Sequence, residues 1–113
     1  MDTILHLCPA DDWKTALEVG LYTAASLAAE GFIHCSMPEQ ILGVANRYFS
    51  GETGLVLLWI DSEKLAAELR YEASEGELYP HLYGPLNLDA VLAVTPILAD
   101  SDGVFRTLPV ISI

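Results

Sequence analysis

Three histidines interrupt apolar stretches of this chain: His6 in Ile4-Leu5-His6-Leu7-Cys8, His34 in Phe32-Ile33-His34-Cys35-Ser36, and His81 between Pro80 and Leu82-Tyr83. Imidazole titrates near neutrality and each ring nitrogen donates or accepts, so such a residue can orient a hydroxyl or carry a proton. Any one of the three reads equally well as a core histidine bonded to backbone carbonyls. Three in equivalent settings point to a site. His34 and His81 are the candidates for proton handling, and Tyr83 joins them because residues two apart on a strand share a face. His6 and Ser36 are candidate ligand contacts. Ser36 also has the bland reading of a helix cap, which is favoured, although a hydroxyl at a helix N-terminus can touch a phosphate. Arg47, one of three arginines, reads either as a snorkelling surface residue or as a phosphate clamp. Glu72, Glu75 and Glu77 read as a solvated acidic loop.

Two other chemistries fit less well. Three imidazoles with an open fourth position would resemble a catalytic zinc centre. The chain has no H-x-H, no H-E-x-x-H and no cysteine pair, so no metal ligands are assigned. Cys35 follows His34 directly in a strand and points away from it, which disfavours a Cys-His nucleophile.

The elements that must position these groups alternate along the chain. Thr3 to Cys8 reads as a first strand, followed by a short helix through Trp13 and Leu17 that stops at Gly20. Ala24 to Glu30 reads as a further helical turn. In the strand Phe32 to Ser36, the side chains of Phe32, His34 and Ser36 share one face. Ser36 and Glu39 have the spacing of a capping box, with Pro38 in the first turn, so a helix is expected from about Met37 to the stop at Gly51. The apolar run Leu55 to Ile60 suits a central strand covered on both faces. Asp61 can cap a short helix, Leu69 to Ala73 is strand-like, and Ser74 to Glu77 is a turn. Ala90 to Leu98 is a strand that Pro96 confines to an edge or bulge. Asp100 to Gly103 is a turn signal, with a last hairpin strand expected through Val104 and Phe105.

The composition bounds what such a site can serve. A chain of 113 residues that is 52% hydrophobic and 19% charged fits one domain with a real core. No apolar run approaches the roughly 20 residues that span a bilayer, and Asp2 follows Met1 where a basic leader would begin. The chain reads as soluble and cytoplasmic, with Cys8 and Cys35 as reduced, buried thiols. A formal charge of -11 disfavours extended nucleic acid and anionic membranes as partners. It leaves room for a small anionic molecule held locally. The fold class that follows is α+β, with mixed, largely antiparallel sheets and two to four short helices.

The segments Gly31-Phe32-Ile33-His34-Cys35-Ser36, Val44-Ala45-Asn46-Arg47, Leu57 to Asp61, Pro80-His81-Leu82-Tyr83-Gly84-Pro85-Leu86 and Asp102-Gly103 resemble the small bacterial domain-of-unknown-function family 952. The family name itself implies no activity. A more distant likeness is to the ADP-ribosyltransferase-like fold and its RNA 2'-phosphotransferases, which use NAD. It rests on His6 in a first strand, the histidine strand and helix after Gly31, and the strand Leu57 to Asp61. That resemblance implies packed mixed sheets around a cleft for an NAD-like or phosphorylated nucleotide, with transferase chemistry. The chain departs from those enzymes in its three arginines, its acidity, and the lack of a recognisable glutamate where Tyr83 or His81 stands. The expectation is therefore an enzyme with a histidine-lined cleft. The alternatives are a non-catalytic ligand-binding domain and a histidine-based metal-dependent hydrolase.

Overall fold

A computed structural model describes residues 2–109 and 111. The chain runs β1 (Thr3–Pro9), α1 (Ala10–Val19), β2 (Leu21–Tyr22), α2 (Ala25–Glu30), β3 (Ile33–His34), α3 (Ile41–Tyr48), β4 (Leu55–Asp61), β5 (Glu68–Ser74), β6 (Glu77–Tyr83), β7 (Leu86–Asn87) and β8 (Val91–Pro96). Single 3-10 turns occur at Ser62–Lys64 and Leu88–Ala90. The strands form three sheets, ordered β1-β4-β8, β2-β7 and β3-β6-β5, and every described pairing is antiparallel. Among the described residues the fold is thus α+β, with three α-helices and three antiparallel sheets. The expected mixture of strand directions is corrected to antiparallel throughout the described residues.

The continuous apolar run becomes the central strand, β4, because both faces of its sheet are covered. Alternation along β1 and β4 sorts the side chains. Leu5, Leu7, Leu57 and Trp59 face Ile41 and Ala45 of α3 together with Ile97 and Phe105. Ile4, Cys8, Leu58 and Ile60 face the other way, onto Tyr22, Ile33, Leu82 and Leu86. Each fully buried Leu or Ile contributes on the order of 1.5–3 kcal/mol, and such residues fill both layers. β8 lies at the sheet edge and ends at Pro96, and the register slips between Trp59 and Ile60 of its partner β4.

The segment after Gly31 is the hinge of the architecture. Ile33 and His34 pair with Leu82 and His81 of β6, and Ser36 then bridges to Leu5 of β1 with two backbone hydrogen bonds of 2.8 Å. One extended stretch therefore ties two sheets together and places His34 beside His6 and His81.

Two expectations are corrected. The long helix begins at Ile41, and no Ser36–Glu39 capping box forms. Residues Met37 to Gln40 make a turn instead, in which the Gln40 side chain accepts from the Met37 N–H and donates to the Leu78 carbonyl. That amide ties the entry of α3 to β6, which a cap could not do. Val104 and Phe105 form no strand. The Asp100–Gly103 turn is present, but the Phe105 N–H and C=O are both taken by the side-chain amide of Asn46 on α3, at 2.7 and 2.8 Å. A side chain thus supplies the pairing that a neighbouring strand would have given.

Candidate functional site

The outer face of the β3-β6-β5 sheet is chemically rich. Antiparallel register sets His34 opposite His81 and His81 opposite Arg70, while Glu72 lies opposite Tyr79. Alternation puts Phe32, His34, Tyr79, His81, Tyr83, Glu68, Arg70 and Glu72 on this face. Ile33 and Leu82, with no exposed surface, point into the core on the other.

His81 is buried and held from two sides. Its Nδ1 lies 2.9 Å from Glu72 Oε1, so the neutral ring donates its Nδ1 proton to the carboxylate. The Phe32 ring stacks on the imidazole, with centroids 4.1 Å apart and planes at 18°. His81 Nε2 has no hydrogen-bond partner among the described residues and is not sealed off, so its lone pair is unspent. The Tyr83 hydroxyl donates to the same Glu72 oxygen at 2.5 Å. These two donors, Tyr83 first, hold the Glu72 carboxyl below its usual range, and Glu72 in turn pushes the Tyr83 phenol up. Arg70 lies over the Tyr83 ring at 4.2 Å and is paired with Glu68.

His34 is more exposed. Its Nε2 lies 2.9 Å from Glu30 Oε2 at the end of α2, and its ring meets His81 edge-on at a centroid distance of 5.5 Å. Two histidines, each with a carboxylate behind it, therefore stand side by side.

His6 has a different part. Its Nδ1 donates to the His34 carbonyl at 2.5 Å and its Nε2 accepts from the Tyr22 hydroxyl at 2.7 Å, so both ring nitrogens are occupied. Burial outweighs the hydrogen bond to the carbonyl and lowers its pKa to about 4, keeping the ring neutral. His6 thus fixes the backbone of His34, and it has no nitrogen left for a metal. Burial also pushes the Cys8 thiol up to about 11 and the Cys35 thiol to about 12, so both free cysteines behave as core side chains.

Several of these groups line one cavity of about 600 Å³. His6, His34, Ser36, Arg47 and His81 all line it; Tyr83 does not, and reaches it only through Glu72 and His81. Ser36 is buried in the cavity wall by its bridge to Leu5. Arg47 lies at the rim, but its guanidinium is paired with Glu75 in the β5–β6 turn, and Tyr48 donates to the same carboxylate.

Three partners escaped the sequence reading. Glu72 lies within β5 and is no part of a solvated loop, since the strand runs to Ser74 and its alternation turns Glu72 toward His81. The spacing Glu68-x-Arg70-x-Glu72 carried that signal. Glu30 stands four residues before His34, and Tyr22 carried no local signal at all.

Among solved structures, the crystal structure of protein CC0527 from Caulobacter crescentus is 36% identical, with a TM-score of 0.85 over 92% of this chain and 93% of that one. The solution NMR structure of CC0527 gives 36% identity and a TM-score of 0.80, covering 94% and 93% of the two chains. No curated protein matches the chain. A family model described as "Protein of unknown function (DUF952)" matches residues 7–94, a span that includes His34, Glu72, His81 and Tyr83. That match, over most of the chain, makes this chain a member of the DUF952 family.

Proposed function

We propose that the cavity binds a nucleotide-sized ligand, NAD-like or phosphorylated, and that His81 acts on it as a general base. One observation carries the reading: Glu72 holds the Nδ1 proton of His81, which leaves the Nε2 lone pair without a protein partner beside the cavity. A carboxylate in that position fixes the tautomer and stabilises the imidazolium that forms when Nε2 takes a proton. The volume of about 600 Å³ lies within the roughly 300–1,000 Å³ usual for small-molecule sites. His34 and Tyr79 offer ring surfaces, Ser36 a hydroxyl, and Arg47 a cation once a ligand phosphate replaces Glu75. A nicotinamide nucleotide is the class that the ADP-ribosyltransferase-like resemblance implies.

A non-catalytic binding domain is the second reading, favoured by the neutralised Arg47. The metal-dependent hydrolase has less support, since His6 has both nitrogens committed and no cluster of three or more metal-ligating side chains occurs among the described residues. Thermal shift with NAD, ADP-ribose and zinc separates the three. The expected result is stabilisation that grows with nucleotide concentration, of about 2.7 kcal/mol at a hundred times Kd, and that His81→Ala diminishes. No response to either nucleotide overturns the proposal. A response to zinc alone promotes the hydrolase.

A further inference from the structure

We infer that His34 and His81 form an acid–base couple, and that the substrate is a nucleotide phosphodiester whose leaving group must be protonated: a cyclic mononucleotide phosphodiester. This rests on the reading of the cavity as a nucleotide site. Cleavage of a nicotinamide nucleotide at its glycosidic bond releases a neutral pyridine, which departs without a proton. A single base suffices for that reaction. Here a second imidazole stands edge-on to the first with centroids 5.5 Å apart, on directly paired residues of adjacent strands.

The two rings are unlike in ways that divide the labour. His81 is buried, donates from Nδ1 to Glu72 and offers a bare Nε2. His34 is about half exposed and its Nε2 meets Glu30, an ion pair when the ring is charged. The groups facing the couple are Glu30 from α2, Glu72 from β5 and Tyr83 from β6, with Arg70 over Tyr83 and already paired with Glu68. The exposed ring with its own carboxylate is the one suited to hold the proton and to exchange it with water.

With a cyclic phosphodiester the step balances without a metal or redox partner. His81 Nε2 takes a proton from water as the water oxygen bonds to phosphorus. The ring P–O bond breaks, and the ribose alkoxide takes its proton from the His34 nitrogen that Glu30 does not hold. Water is consumed, a phosphomonoester forms, and bulk solvent returns the proton to His34 and removes it from His81. Two features set the substrate's size. The cavity holds about one nucleotide, and a charge of -11 repels a polyanionic strand.

The test incubates the full chain with 2',3'-cyclic mononucleotides and follows the products by phosphorus NMR. Turnover with a bell-shaped pH profile is expected, and His34→Asn and His81→Asn should each lower it by roughly a hundredfold or more. A nitrophenyl phosphodiester of a nucleoside gives the decisive contrast, because nitrophenolate leaves without a proton. With that substrate the His34→Asn loss should nearly vanish while the His81→Asn loss persists. Equal losses on both substrates would overturn the couple. Binding of nucleotides in thermal shift without cleavage of any cyclic phosphodiester overturns this inference and leaves the nucleotide site standing. Absence of nucleotide binding overturns both.

Discussion

Residue chemistry in this protein is set by which hydrogen bonds are already spent. His6, His34 and His81 look equivalent in sequence, yet only His81 has a buried ring with one nitrogen anchored and the other open. The cost of the fully satisfied one can be measured. Burial lowers the His6 pKa to about 4 in the folded chain, against the usual imidazole value of 6.5, so the unfolded chain binds the extra proton first. This contribution is complete above pH 6.5 and declines as pH falls toward 4, by about 3 kcal/mol in all. Urea midpoints should therefore drop between pH 6.5 and pH 5, and His6→Gln should make that decline shallower. A second titration tests the Glu72 arrangement. Because Glu72 accepts the Tyr83 hydrogen bond and raises its pKa, Glu72→Ala should lower the Tyr83 pKa in an NMR or ultraviolet titration. No change would mean that the two groups are not bonded in solution.

Elements owe their positions to a few polar ties as much as to apolar burial. Asn46 shows this best, since its amide satisfies both backbone groups of Phe105, a side chain that is 1% exposed. Asn46→Ala leaves a buried N–H and C=O without partners, at about 1–3 kcal/mol for each group. A loss of about 2–6 kcal/mol in urea denaturation is expected. The same residue bears on why the expected final hairpin strand does not form: Val104 and Phe105 have strand composition, but Val104 bonds back to the Asp100–Asp102 turn and the partner of Phe105 is an amide 59 positions away. Likewise Ser36 and Glu39 have capping-box spacing, and Gln40, bonded to Leu78, displaces the start of the helix to Ile41. By contrast β1, β4, β5, β6 and α1 were legible, because their signals are local: alternation, an unbroken apolar run, and a stop at Gly20 with φ of 90°. Glu72 was misread for one reason. Its acidic neighbours suggested a loop, while its strand period pointed at His81.

At the scale of the molecule, a field of charge -11 surrounds a cavity whose nearest cation is neutralised by Glu75. An anionic ligand must approach against that field, and salt screens the long-range repulsion with a Debye length of about 10 Å at 0.1 M. Nucleotide affinity measured by calorimetry should therefore rise between low salt and 0.1 M; a fall would mean that a local cation outweighs the global charge. No helix among the described residues is long and apolar enough to cross a membrane. By itself the sequence determined the α+β class, the central strand, the three histidine strands and membership of the family, because alternation, apolar runs and short motifs are properties of neighbouring residues. Only the tertiary structure decided what each histidine does. The stretch from Ile33 to Ser36 bridges two sheets, which gives His6 the carbonyl of His34 and sets His34 beside His81, while the β5–β6 pairing brings Glu72 to His81. A free imidazole nitrogen depends on partners nine and twenty-eight residues away, chosen by the β5–β6 hairpin and by the long-range docking of the Ile33 to Ser36 stretch between β6 and β1.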